Sequence, residues 1–114
     1  MKVNIYLNDN KVISMESTSF DAQDMESKLN NPKLLMLVVG DFVLNKNTIA
    51  AMGPESTSPT VEITLHNGLV LPTHIDSFNP TEIAEKMNQQ AIITSIGEMV
   101  LNKNIVRMVA PLQA

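Results

Sequence analysis

Cysteine is absent from the chain, which removes disulfides, zinc–thiolate sites and thiol catalysis together. Aromatic residues are scarce: Tyr6, Phe20, Phe42 and Phe78 are the whole set, too few for a base-stacking platform. Basic residues are outnumbered, 8 Lys and Arg against 12 Asp and Glu, for a formal net charge of −4. Sequence-independent coating of DNA or RNA works by displacing counterions with clustered cations. The second half offers only Lys86, Lys103 and Arg107 for that purpose, so general nucleic-acid coating is disfavoured. No apolar run is long enough to span a bilayer, and no charged start leads into an apolar stretch, so the expected compartment is the cytoplasm, with no membrane partner. His66 and His74 are the only histidines and do not form a helical His-x-x-x-His pair, which leaves a metal site without support. Neither a Ser, His and acid constellation nor a Gly-rich phosphate loop can be discerned. The chain is therefore expected not to be an enzyme and to carry no cofactor.

What the chain does contain is one phrase written twice. Gly40-Asp41-Phe42-Val43-Leu44-Asn45-Lys46-Asn47 returns as Gly97-Glu98-Met99-Val100-Leu101-Asn102-Lys103-Asn104, with Val-Leu-Asn-Lys-Asn identical in both. Self-similarity at a fixed spacing marks a repeated supersecondary unit. In 114 residues each unit is small. Units below about 70–80 residues rarely stabilise themselves unaided, so the two are expected to pack on each other or on copies from other chains.

The punctuation around the phrase also recurs. Val3 to Leu7 and Val61 to Leu65 alternate apolar and polar residues, the period of a half-buried strand. Asn8-Asp9-Asn10 and Asn67-Gly68 read as tight hairpin turns. A helix follows in each half: Asp21 to Asn30, capped by Asp21, and Asn79 to Gln89, capped by Asn79 with Pro80 at the first helical position. Three short strands then close each half. Pro54 to Thr60, polar with a Pro near each end, is the linker. The expected fold is α+β, mainly β: two tandem β-β-α-β-β-β repeats, residues 1–53 and 61–114, joined by a linker at 54–60.

With these segments set out, the chain resembles the Sm-like fold, most closely the bacterial Sm-like RNA chaperones of the Hfq type. Val61 to Leu71 followed by Ser77-Phe78-Asn79 is similar to that family's first strands, and Met99 to Ile105 with Val109-Ala110-Pro111 to its last two. In the first half the matches are Val3, Ile5 and Leu7, then Ser19-Phe20-Asp21, then Val43 to Asn47. Three departures stand out: no helix precedes the first strand, a helix interrupts the strands in each half, and no His adjoins the Lys of the basic turn. The resemblance implies that each repeat forms a small, strongly bent Sm-like sheet or barrel with a tendency to form rings, and it implies RNA binding weakly.

The two Asn-Lys-Asn turns are the candidate ligand-binding residues: Asn45, Lys46, Asn47, Asn102, Lys103 and Asn104. Asn offers a donor and an acceptor and Lys a mobile positive charge, so two such turns brought together could hold a phosphate or a base edge. The competing reading is a plain connector, with Asn present because it tolerates left-handed backbone angles. The function expected is that of a homo-oligomeric binding protein that sequesters a small anionic ligand such as a nucleotide, a role that suits a small phage or mobile-element protein. The alternatives are an assembly module that pairs its strand edges with itself or with a host protein, and RNA binding in the Sm-like manner.

Overall fold

The structure, a computed structural model, describes residues 1–112, so the last two residues of the second unit lie outside the described part. In chain order the first half runs β1 (Lys2–Leu7), β2 (Val12–Glu16), α1 (Ala22–Asn30), β3 (Met36–Val39), β4 (Phe42–Asn45) and β5 (Ile49–Pro54). The second runs β6 (Val61–Leu65), β7 (Val70–Thr73), α2 (Pro80–Met87), β8 (Ile93–Ile96), β9 (Met99–Asn102) and β10 (Val106–Pro111). Both helices start on the caps their sequences offer. The Asp21 carboxylate accepts the Asp24 amide at 3.1 Å, and the Asn79 side-chain oxygen accepts those of Thr81 and Glu82 at 3.0 and 3.3 Å. Asn10 takes φ 74° in the first hairpin turn and Gly68 φ 90° in the second, the left-handed region where Asn and Gly are tolerated.

The chain is mainly β, but its strands do not close into one small bent sheet per repeat. They form three sheets. The largest has the order β2-β1-β5-β9-β8 and takes its last two strands from the second half. β10-β6-β7 make a three-stranded sheet, and β3-β4 stand as a separate two-stranded ribbon. The expected pair of β-β-α-β-β-β repeats, each an Sm-like bent sheet or barrel, is thereby overturned. The physical reason lies in β5. Ile49, Ala50, Ala51 and Met52 are all buried, apolar on both faces of the strand, so β5 needs cover on both faces and a partner along each edge. β1 supplies one edge, with Met52 opposite Ile5. β9 supplies the other, with Ala51 opposite Leu101 and Met52 opposite Val100. Apolar alternation specifies a buried face, not the neighbour along the edge.

The two cores follow the same crossing. Ile93 and Val100 of the second half sit with Val3, Ile5, Leu29 and Met52 of the first. Ala50 and Ala51 of the first sit with Ile63, Leu65, Leu71 and Leu101 of the second. Close approach at the β5–β9 seam requires Gly53, where an added Cβ would stand 2.9 Å from the Glu98 carbonyl oxygen.

Candidate functional site

Antiparallel pairing of β5 with β9 places the exit of β9 beside the entry to β5. The Asn102-Lys103-Asn104 turn leaves β9, and the Asn45-Lys46-Asn47 turn leads into β5, so both phrases arrive at one end of the large sheet. Each is a single turn of 3₁₀ helix, Lys46–Thr48 and Lys103–Ile105. Asn45 caps the first, its Oδ1 accepting the Asn47 amide at 2.9 Å. Asn102 caps the second, its Oδ1 accepting the Asn104 amide at 3.0 Å. Asn45 and Asn102 have φ of −76° and −83°, an extended backbone. The expectation that Asn serves here by adopting left-handed angles is corrected: it serves by its side-chain oxygen, which satisfies an orphan amide of the turn.

The two lysines reach in matching directions. The Lys46 ammonium donates to the Asn31 carbonyl at 2.6 Å, and Asn31 is the capping residue just past the end of α1. The Lys103 ammonium donates to the carbonyl of Gln89, two residues past the end of α2. A cation at a helix C-terminus meets unpaired carbonyls and the negative end of the helix dipole. The main-chain amides add a second tie, Lys46 to the Leu35 carbonyl and Lys103 to the Ile92 carbonyl, both at 2.9 Å. Among the described residues no ion pair involves either lysine, so both charges are bound by neutral oxygens and none is cancelled by a carboxylate.

Between the turns lies a cleft of about 610 Å³. The first turn contributes Lys46 and Asn47, the second Asn102 and Asn104; Leu29, Asn30 and Pro32 form one wall, and the strip Gln90–Ile93 the other. Four of the six expected site residues thus line one cavity. Asn45 and Lys103 do not line it. Two wall residues had no signal as site residues. Asn30 reads in the sequence as part of a helix stop, yet its side chain bonds both main-chain groups of Ile93 across 63 positions of chain. Gln90 reads as the loop after α2.

A second contact across the halves stiffens the same wall. The Ser95 hydroxyl donates to Glu26 of α1 at 3.0 Å and accepts from Lys86 of α2 at 3.4 Å, so β8 is tied to both helices. His74 and Asp76 lie apart from the cleft. The His74 Nδ1 donates to the Ser58 carbonyl at 2.8 Å and its Nε2 to the Asp76 carboxylate at 3.1 Å. Both partners are acceptors, which favours the doubly protonated ring. The Ser58 carbonyl first, and Asp76 second, raise the His74 pKa above its ordinary value. Among the described residues no three or more His, Asp or Glu are grouped to hold a metal ion, and neither helix is long and apolar enough to cross a membrane.

No protein-family model, curated protein or solved structure matches the chain.

Proposed function

We propose that the chain is a non-enzymatic binding protein of the cytoplasm whose inter-turn cleft takes a small anionic ligand of the nucleotide class. One observation carries this reading: a single cavity gathers residues of both repeated turns around a Lys46 charge that no carboxylate neutralises. The Lys46 ammonium spends one donor on Asn31, which leaves donors for an anion. The side chains of Asn47, Asn102, Asn104 and Gln90 supply carboxamides that match the mixed donor and acceptor edge of a base. The apolar part of the wall, Leu29 and Ile93, suits the flat face of a ring. A volume of about 610 Å³ is in the range of small-molecule sites.

Calorimetric titration with mononucleotides and short oligoribonucleotides tests it. Lys46→Ala removes a charge-assisted bond worth roughly 1.5–3 kcal/mol, so affinity falls by about tenfold or more. Lys103→Ala, outside the lining, leaves affinity close to that of the parent chain. Absence of binding by the folded parent at millimolar nucleotide rules the reading out. Binding by the oligoribonucleotides alone moves the ligand class from nucleotide to RNA.

A further inference from the structure

The seam between β5 and β9 has a counterpart that the chain leaves open. Gly40–Asn47 recurs as Gly97–Asn104, so Val43 and Leu44 correspond to Val100 and Leu101. β5 and β10 hold the same place beside their hairpins: Met52 lies opposite Ile5, and Val109 opposite Ile63. Where β9 joins β5, its counterpart β4 pairs only with β3, and β10 pairs only with β6. The burial of matched residues records the difference. Val100 is 1% exposed and Val43 is 63% exposed; Ala51 is 1% exposed and its counterpart Met108 is 50% exposed. Ser95 on β8, under α1, is 5% exposed, whereas Val38 at the same place on β3 is 74% exposed.

We propose that β4 of one copy of this chain pairs with β10 of a second copy, head to tail, with Val43 opposite Val109 and Leu44 opposite Met108. The pairing repeats between copies the register that Val100 and Leu101 hold against Met52 and Ala51 inside the chain. α2 of the second copy then lies over Val38 and Met36 of the first, as α1 lies over Ser95 and Ile93. Nothing on β4 blunts the edge: Phe42, Val43 and Leu44 carry neither the charge nor the Pro that protects open strands. The seam between copies differs from the internal one in the strand that meets β4, where Met108 and Val109 replace Ala51 and Met52. Ala110 stands where β5 has Gly53, and its Cβ confines the close approach to the Met108–Val109 step. Each copy offers one edge of each kind, so the contact is heterologous and builds a ring if the rotation closes and a filament if it does not.

The experiment uses two variants of the full chain, Val43→Lys and Met108→Lys, each of which blocks one edge at an exposed position. In sedimentation velocity the parent chain assembles beyond a monomer as concentration rises through the micromolar range. Each variant alone sediments as a monomer with the parent's circular dichroism. Mixed in equal amounts they form a one-to-one dimer, because each keeps the edge that the other lacks. A parent chain that stays monomeric, as it would if these edges await a different protein, overturns the proposal. So does a Met108→Lys chain that still self-associates, which signals β4 against β4, or a mixture that remains monomeric. Val38→Lys replaces Val43→Lys if that chain does not fold, and the mixing result reads the same way.

Discussion

Asn30 binds Ile93 as a strand would. Its Nδ2 donates to the Ile93 carbonyl at 2.9 Å and its Oδ1 accepts the Ile93 amide at 3.1 Å, so one carboxamide satisfies both main-chain groups of an edge residue. β8 is the outer strand of the five-stranded sheet, and its edge is closed there by the last residue of a helix from the other half.

Removing this clasp leaves a partly buried amide and carbonyl unpaired, a loss of roughly 1–3 kcal/mol. Asn30→Ala should therefore lower the urea midpoint while leaving the slope unchanged. Asn30→Asp should cost at least as much, since a carboxylate cannot donate to the Ile93 carbonyl. Hydrogen exchange at the Ile93 amide should quicken in both. An unmoved midpoint in Asn30→Ala would mean that the clasp carries no stability.

Lys46→Ala and Lys103→Ala should destabilise the fold by similar amounts, about 1 kcal/mol each once partial solvent screening is allowed for. Each loses the same kind of bond, from an ammonium to a carbonyl just past a helix end. Denaturant curves on the two single variants make the comparison. Equal stability losses together with unequal effects on nucleotide affinity would separate the shared structural task from the ligand task given to Lys46 alone.

Gly97 and Gly40 occupy the same turn in the two halves, with φ of +60° and +59°, yet substitution should not cost the same. At Gly97 an added Cβ would stand 2.4 Å from the His74 carbonyl oxygen, which is main chain. At Gly40 it would meet the end of Met15, a flexible side chain, at 2.9 Å. Both bear the cost of a left-handed residue, on the order of 1–3 kcal/mol, and Gly97→Ala adds a clash that cannot swing aside. Its melting temperature should fall clearly below that of Gly40→Ala, and the reverse order would show that the Gly97 turn yields to a side chain more readily than the Gly40 turn does.

Stability should also depend on pH, from two exposed groups. Hydrogen bonding to Ser58, then to Asp76, raises the His74 pKa, so the stability it adds is complete below its unfolded value and is lost as pH rises through the folded one. Bonding from the Asn4 amide, then from Lys2, lowers the Glu55 pKa, so its contribution is present above its unfolded value and is lost as pH falls through the folded one. The melting temperature should therefore be highest between the ordinary values of 4.5 and 6.5. His74→Gln should flatten the upper limb and Glu55→Gln the lower. A profile in which neither variant differs from the parent would show that these contacts do not persist in solution.

Local chemistry made much of this molecule legible before its structure. Asp21 and Asn79 announce helix starts because a short polar side chain can hold a free amide, and both do so. The strand positions Val3, Ile5 and Leu7 follow from alternation. The Asn-Lys-Asn turns are visible as candidates because they occur twice. What the sequence could not reveal is partnership over distance. Nothing in Leu101 says that it will lie opposite Ala51 rather than stay in a sheet of its own half. Nothing in Asn30 points to Ile93, because a carboxamide fits any strand edge that comes within reach. Lys103, expected beside Lys46 as a ligand-binding residue, does not line the cleft for a related reason. Its twin Lys46 lies beside a neighbouring wall from the other half, whereas Lys103 has no such wall in its own chain.

The crossing of the two cores also bears on how the chain is made. Leu29, Val3 and Ile5 share their core with Ile93 and Val100, which leave the ribosome much later. Until then β5 presents an unpaired edge and α1 lacks the β8 side of its core, and such exposed apolar surface and open strands invite aggregation. Synthesis therefore has a vulnerable interval that begins when Met52 emerges and ends only when Val100 does. A slow codon in the linker would lengthen it, and a holding chaperone would find its strongest grip on the newborn chain at that stage.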